Sequence, residues 1–378
     1  VSGVADRFRR WVLPGLAFKS VVIGGGYATG RELAEFFLPP GPWGGVAAMV
    51  LAMAAWSVVC ALTFVLARRV GARDYRGFFR ALIGRGWVLF EFAYLCLVVI
   101  VLAVFGAATG ELLHGMLGWP PVAGAIALVV VIATIVRAGN EAIEGLFKYM
   151  SGFLYLVYAV AALLMLSAFG DRSLAQFASS PPPGEGWVVN GLTYAGYNLF
   201  AAIAILPVLR HMRGTRDAVV AGMLAGPLAI LPALVFFVCM VAFVPEIAAE
   251  PLPSDFLLGR TGHPWFQNVF RVMILTALVE TGVAMVASIE ARTAAAWVER
   301  TGRELAPRAR LALVVGVLVA SVFLADAIGL VELIARGYRM LSWMLLATYV
   351  LPLLTIGAWR LWRGRRQAVA AARSAAAP

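Results

Sequence analysis

The chain has 378 residues, of which 62% are hydrophobic and only 13% charged, and its net charge is +11. Neither a water-soluble globule nor a disordered chain has that balance. The positive excess would suit nucleic acid, but the arginines gather in alternate loops between apolar runs, so no nucleic-acid partner is expected.

Taken in order, the apolar runs predict ten membrane helices at 12–37, 43–68, 86–114, 119–137, 147–169, 187–209, 217–244, 265–296, 309–325 and 332–360. A helix needs roughly 20 apolar residues to cross the hydrocarbon core. Residues 44–67 and 218–245 carry no charge over that length. The expected fold is therefore all-α and integral to the membrane, a single domain over 1–378 with a tail at 361–378. Basic residues at Arg7, Arg9 and Arg10, at Arg68, Arg69, Arg73, Arg76, Arg80 and Arg85, at Arg137 and Lys148, at Arg210, Arg213 and Arg216, and at Arg300, Arg303, Arg308 and Arg310 all fall on one side of ten spans, as do Arg363, Arg365 and Arg366. The positive-inside rule then places both termini in the cytoplasm of a bacterial-type inner membrane. The long connections 170–186 and 245–264 are read as outer loops, and Glu141 and Glu144 as part of an inner one.

The first helix carries the strongest local signal. Gly24, Gly25, Gly26 and Gly30 crowd a stretch where a membrane helix is normally continuous. Glycine is a poor helix interior residue, and irregular backbone at membrane depth survives only when buried in protein or lining a wet cavity. The sixth helix has a matching interruption at Tyr194-Ala195-Gly196-Tyr197-Asn198, followed by Pro207. Because each opens a set of five helices, an odd number, the second set enters the membrane upside down. Paired interrupted segments in inverted halves point to a secondary transporter with its site near the midplane. The expected architecture is two inverted five-helix repeats, 12–169 and 187–360, with helices one and six broken.

Cys60, Cys96 and Cys239 lie within apolar runs, and His114, His211 and His263 are scattered, so no metal site, disulfide or cofactor is expected. Nucleotide-binding, zinc-protease and serine-hydrolase motifs are missing, so an enzyme is not expected. No repeated filter sequence suggests a channel. A sensor built on a transporter scaffold, or a channel, stays open as an alternative.

Ile23-Gly24-Gly25-Gly26-Tyr27-Ala28-Thr29-Gly30-Arg31-Glu32 with Phe36-Phe37, and Tyr197-Asn198-Leu199 with Ala201-Ala202, resemble the first and sixth helices of the YkvI-like membrane proteins. Gly25 and Arg31 stand where that pattern has Ala and Gln. These proteins resemble the amino acid–polyamine–organocation superfamily. The resemblance implies the leucine-transporter fold, and a secondary active transporter of a small polar solute, such as an amino acid or related zwitterion or amine, driven by H+ or Na+.

The candidate substrate residues are Gly24, Gly25, Gly26, Tyr27, Ala28, Thr29, Gly30, Tyr94, Tyr194, Gly196, Tyr197 and Asn198. Free amides near Thr29–Glu32 would suit a carboxylate, and free carbonyls near Ile23–Gly26 a cation. Arg31, Glu32 and Glu35 are read as a gate. Tyr155 and Tyr158 are read as packing. Glu280 sits in the otherwise uncharged stretch 272–289, where a carboxylate is costly and usually functional. The resemblance implies that its helix faces the inner half of the first. Ile23, Gly26, Glu280 and Thr281 then form the candidate coupling-ion site, with a fixed Glu280–Arg31 pair as the static alternative.

Overall fold

The computed structural model describes residues 2–72 and 74–363. Arg73, and the tail from 364 with Arg365 and Arg366, lie outside the described residues, as do the side chains of Glu141, Glu144 and Lys148. Among the described residues the regular structure is entirely helical.

Eight helices are long and apolar enough to cross a membrane: Gly41–Val70, Tyr75–Leu117, Pro121–Ala138, Gly152–Ser179, Thr215–Val241, Pro264–Thr301, Pro307–Ile328 and Leu330–Arg363. They match eight of the ten expected spans. The other two, 12–37 and 187–209, are the segments whose helix is interrupted, so neither contains one piece of spanning length. The chain is a multi-pass membrane protein.

The first segment breaks twice. α1 (Leu13–Val22) ends at Ile23, and Gly24 is extended with φ −61° and ψ −176°. A single turn, α2 (Gly25–Ala28), follows. Gly30 then adopts φ +76°, a left-handed conformation suited to glycine, before α3 (Arg31–Phe37). The sixth segment departs from expectation. α4 (Trp187–Asn198) runs unbroken through Ala195–Asn198, and the interruption is a shallow turn at Leu199 whose backbone stays right-handed. α5 (Phe200–Ala204) and a 3₁₀ stretch at Leu206–His211 follow. Two residues that look like breakers serve other ends here. Asn198 Nδ2 donates to the Tyr194 carbonyl within the same helix at 3.0 Å. Gly196 serves packing: a Cβ there would stand 2.1 Å from Ser342 Oγ.

Two connections expected to be loops contain helices. α6 (Tyr75–Ile83) begins at Asp74, whose carboxylate accepts from Gly77 N at 2.6 Å, and buries Tyr75, Phe78, Phe79 and Leu82 on one face. α7 (Pro253–Gly259) lies within the 245–264 connection. The helix Asn140–Ser179 also extends past the expected end at 169 and takes in most of the connection read as loop. Its last turns are held by Trp43 Nε1 donating to the Phe177 carbonyl at 3.1 Å, and by Phe169 edge-on to Phe243.

The core centres on the closely packed pair Gly41–Val70 and Thr215–Val241. Gly222 and Gly226 permit that approach: a Cβ on either would stand 2.3 Å from the Ala61 backbone or 2.2 Å from the Met53 carbonyl. α1 packs on Thr215–Val241, and α4 on Gly41–Val70. Trp56, fully buried, ties the last pair by donating from Nε1 to the Ala195 carbonyl at 3.1 Å.

Candidate functional site

The breaks in the first segment face a cavity of about 740 Å³. Its inner end is lined by Ile23 and Ala28, and its flanks by Tyr94, Tyr158, Glu280 and Thr281. At the other end it reaches the exposed Ser20, Asp74 and Pro207. That mouth lies at the arginine-rich end of the molecule.

The opposite end is sealed. Ser254 at the start of α7 donates from Oγ to the Ala28 carbonyl at 2.7 Å and from its backbone N–H to the Thr29 carbonyl at 3.0 Å. Two carbonyls freed by the helix break are thereby satisfied. A Cβ on Gly30 would stand 2.8 Å from Ser254 Oγ, so α7 sits directly against the second break. Arg31 bonds Glu35 at 2.9 Å and the carbonyls of Ala248 and Glu250 at 2.7 and 3.0 Å. Arg31 is thus engaged here and not with Glu280, so the static Glu280–Arg31 pair is not formed. Glu32 turns the other way: Tyr197 Oη donates to Glu32 Oε2 at 2.5 Å, with both residues buried.

Of the expected substrate residues, the cavity brings together Ala28 and Tyr94 with the coupling candidates Ile23, Glu280 and Thr281. Gly24 borders them, its missing Cβ 3.2 Å from Thr281 Oγ1. Gly25 and Gly26 form the turn between the breaks; beyond their backbone they lie outside the described residues. Tyr27, Thr29 and Gly30 are buried behind the cavity wall. Tyr194, Gly196, Tyr197 and Asn198 do not line the cavity: Tyr194 and Tyr197 pack toward α3, Gly196 against Ser342, and Asn198 bonds within its own helix. Tyr194 is edge-on to Phe37 at 4.7 Å and tilted against Trp56 at 5.5 Å. The wall that the sixth segment contributes comes from later residues, Phe200, Ile203, Ala204 and Pro207, because its turn falls at Leu199.

Several lining residues escaped the sequence reading. The Arg292 guanidinium lies between the rings of Tyr75 and Tyr94, 3.9 and 3.8 Å from their centroids. Lys19 Nζ stands 4.7 Å over the Tyr155 ring. Tyr155 and Tyr158, for which packing is the default expectation, line the cavity. The signal for α6 was present: Asp74 followed by Tyr75, Phe78, Phe79 and Leu82 at helical spacing.

No protein-family profile matches the chain. By sequence it is similar to the uncharacterized membrane protein YkvI of Bacillus subtilis (strain 168), with 22% identity over 273 residues, 70% of this chain and 77% of that protein. By structure it is similar to MhsT in complex with L-phenylalanine, with a TM-score of 0.61 at 16% identity over 91% of this chain and 87% of that one. It is also similar to Mhp1, a nucleobase–cation symport-1 family transporter, with a TM-score of 0.55 at 14% identity over 88% and 74% of the two chains. A Na+-coupled sialic acid symporter gives 0.54 at 11% identity over 94% and 86%. The chain has the leucine-transporter fold. At these identities the likeness concerns fold alone, and the solved neighbours are transporters, not enzymes.

Proposed function

We propose that the chain is a secondary active transporter of a small polar organic solute, an amino acid or a related zwitterion or amine, working by alternating access on a proton or sodium gradient. One observation carries this reading. A cavity ends against a broken helix at its inner end, opens at the arginine-rich end, and is closed from the other side by Ser254 and Arg31. One-sided access to a buried site is what alternating access requires, and it does not fit a channel.

On this reading there are ten spans in two inverted repeats, 12–169 and 187–360. The reciprocal packing supports it: each interrupted segment lies on the second helix of the opposite repeat. With both termini cytoplasmic in a bacterial-type inner membrane, the open mouth faces inward. Gly24–Gly30 and Tyr94 form one wall of the substrate site. Tyr194, Gly196, Tyr197 and Asn198 form the wall that the outward-facing state uncovers. Ile23, Gly26, Glu280 and Thr281 hold the coupling ion.

A thermal-shift screen of purified protein against amino acids, amines and nucleobases, followed by counterflow of the best hit in liposomes, tests the proposal. Stabilisation with counterflow is expected. Stabilisation without counterflow would make the protein a sensor, and stabilisation by nucleobases alone would overturn the substrate class.

A further inference from the structure

We propose that Glu32 is a proton-binding site, neutral in the conformation seen here and emptied when α3 moves. The inference rests on the transporter reading above and adds the identity of a carried ion and its carrier.

The first support is the absence of a counter-charge. Glu32 is 4% exposed, and among the described residues its one side-chain partner is the Tyr197 hydroxyl at 2.5 Å. The charged groups on the elements packed against α3 are engaged elsewhere. On α3 itself, Arg31 is committed to Glu35 and two carbonyls. The stretch 246–249 and α7 offer Glu246 and Asp255, already paired with Arg260 and Arg271. The last helix contributes Tyr338, tilted against Tyr197 at 4.5 Å, while its Arg336 pairs with Glu332. α2 and α4 contribute the hydroxyls of Tyr27, Tyr194 and Tyr197. Gly41–Val70 and Thr215–Val241 present Trp56 and Phe237 on this side. A buried carboxylate ion without a cation is strongly disfavoured, whereas a neutral carboxylic acid needs only hydrogen bonds.

The second support is a route. Tyr158 lines the cavity, and its ring lies 5.9 Å from that of Tyr27. Tyr27 and Tyr194 both sit within electrostatic reach of Tyr158 and of Glu32. The buried hydroxyls of Tyr158 and Tyr27 lie close enough to interact with each other, and that of Tyr194 is buried without a hydrogen-bond partner among the described residues. Orphaned buried hydroxyls are where proteins hold internal water. Here the three hydroxyls run from the cavity toward Glu32, so a proton can pass between cavity water and the carboxyl without exposing it.

The route also explains why Glu32 and not Glu35 carries the proton: Glu35 has Arg31 beside it.

The test is infrared spectroscopy of the purified full-length protein across neutral pH, combined with a pH-sensitive dye in proteoliposomes. The probe solutes are the twenty proteinogenic amino acids and their decarboxylated amines. We expect a protonated-carboxyl C=O band that vanishes in Glu32→Gln, shifts in Tyr197→Phe and persists in Glu35→Gln. We also expect solute-driven proton movement in the wild type that is lost in Glu32→Gln. Thermal unfolding checks that each variant is folded, and Tyr197→Phe serves if Glu32→Gln is not. No Glu32-dependent band at any pH would overturn the proposal. So would solute uptake by the wild type with proton movement intact in Glu32→Gln, an outcome that leaves the transporter reading standing. A Glu32 band in a protein that moves no solute would instead sink the transporter reading, and with it the coupling role.

Discussion

Gly24 and Thr281 meet across the first helix break, so closely that a Cβ on Gly24 would lie 3.2 Å from Thr281 Oγ1 and 3.3 Å from its Cγ2. The backbone of Gly24 is extended and open to any residue, so space and not conformation selects glycine here. Gly24→Ala is expected to overpack the contact at about 1–3 kcal/mol. If this contact holds the coupling ion, that is roughly a tenfold to hundredfold loss in apparent ion affinity. Thr281→Ala in the same chain restores the space without restoring the oxygen. The double variant should regain the unfolding temperature of the wild type but not its ion dependence. Recovery of both would make the contact packing alone.

The seal is the second place where one residue decides a state. Arg31 makes two bonds that hold the 246–250 connection to α3, and a third, to Glu35 within α3, fixes its side chain in place. Hydrogen bonds to a charged group contribute about 1.5–3 kcal/mol each. Arg31→Gln should therefore shift the balance toward the outward-open state by at least tenfold. Alkylation of a cysteine placed at the buried Thr29 measures it. An unchanged alkylation rate from the outer side would show that Ser254 and α7 suffice to close the site.

At the opposite mouth Arg292 on the Pro264–Thr301 helix packs on the ring of Tyr75 in α6 and on that of Tyr94 in the helix that follows. Cation–π contacts run from about 0.5 to 2 kcal/mol each, and a flat guanidinium fills the slot between two rings better than an ammonium does. Arg292→Gln should speed hydrogen exchange over Tyr75–Ile83 by one to two orders of magnitude, with Arg292→Lys in between. Equal exchange in all three proteins would assign the holding of α6 to Phe78, Phe79 and Leu82.

How much of this was legible in the sequence depends on how local each cause is. The break at Gly24–Gly30 could be read because glycine acts through its own backbone. Eight spans could be read because hydropathy over twenty residues needs no partner. The sixth segment misled, since Gly196 and Asn198 look like breakers in sequence but serve Ser342 and the Tyr194 carbonyl. Ser254 and Arg292 were invisible for the same reason: their roles come from partners more than 190 positions away in the chain, at Ala28 and at Tyr94 and Tyr75. Glu32 and Arg31, adjacent in sequence, were read as one gate, yet successive helix positions face different directions, and each found a different partner.

Glu280 supplies the last prediction. It lines the cavity in the middle of the Pro264–Thr301 helix, beside Thr281 and across from Ile23, with the Tyr155 hydroxyl in its field. A carboxylate at that depth costs roughly 2.5–3.5 kcal/mol on insertion scales, so a residue without a role would be expected to be lost. The cavity opens Glu280 to solvent, and on the proposed orientation a bound ion would leave by it toward the cytoplasm. Glutamine preserves its shape and one acceptor oxygen but removes the charge. Glu280→Gln is therefore expected to abolish gradient-driven accumulation while affecting exchange of solute across the membrane far less, because exchange needs no net movement of the ion. Comparing the two variants separates the ions. Glu32→Gln should remove dependence on pH, and Glu280→Gln should remove whatever dependence on sodium the wild type displays. If Glu280→Gln still concentrates solute with wild-type dependence on both, Thr281 and the carbonyl of Ile23 hold the ion without it, or no second ion is carried.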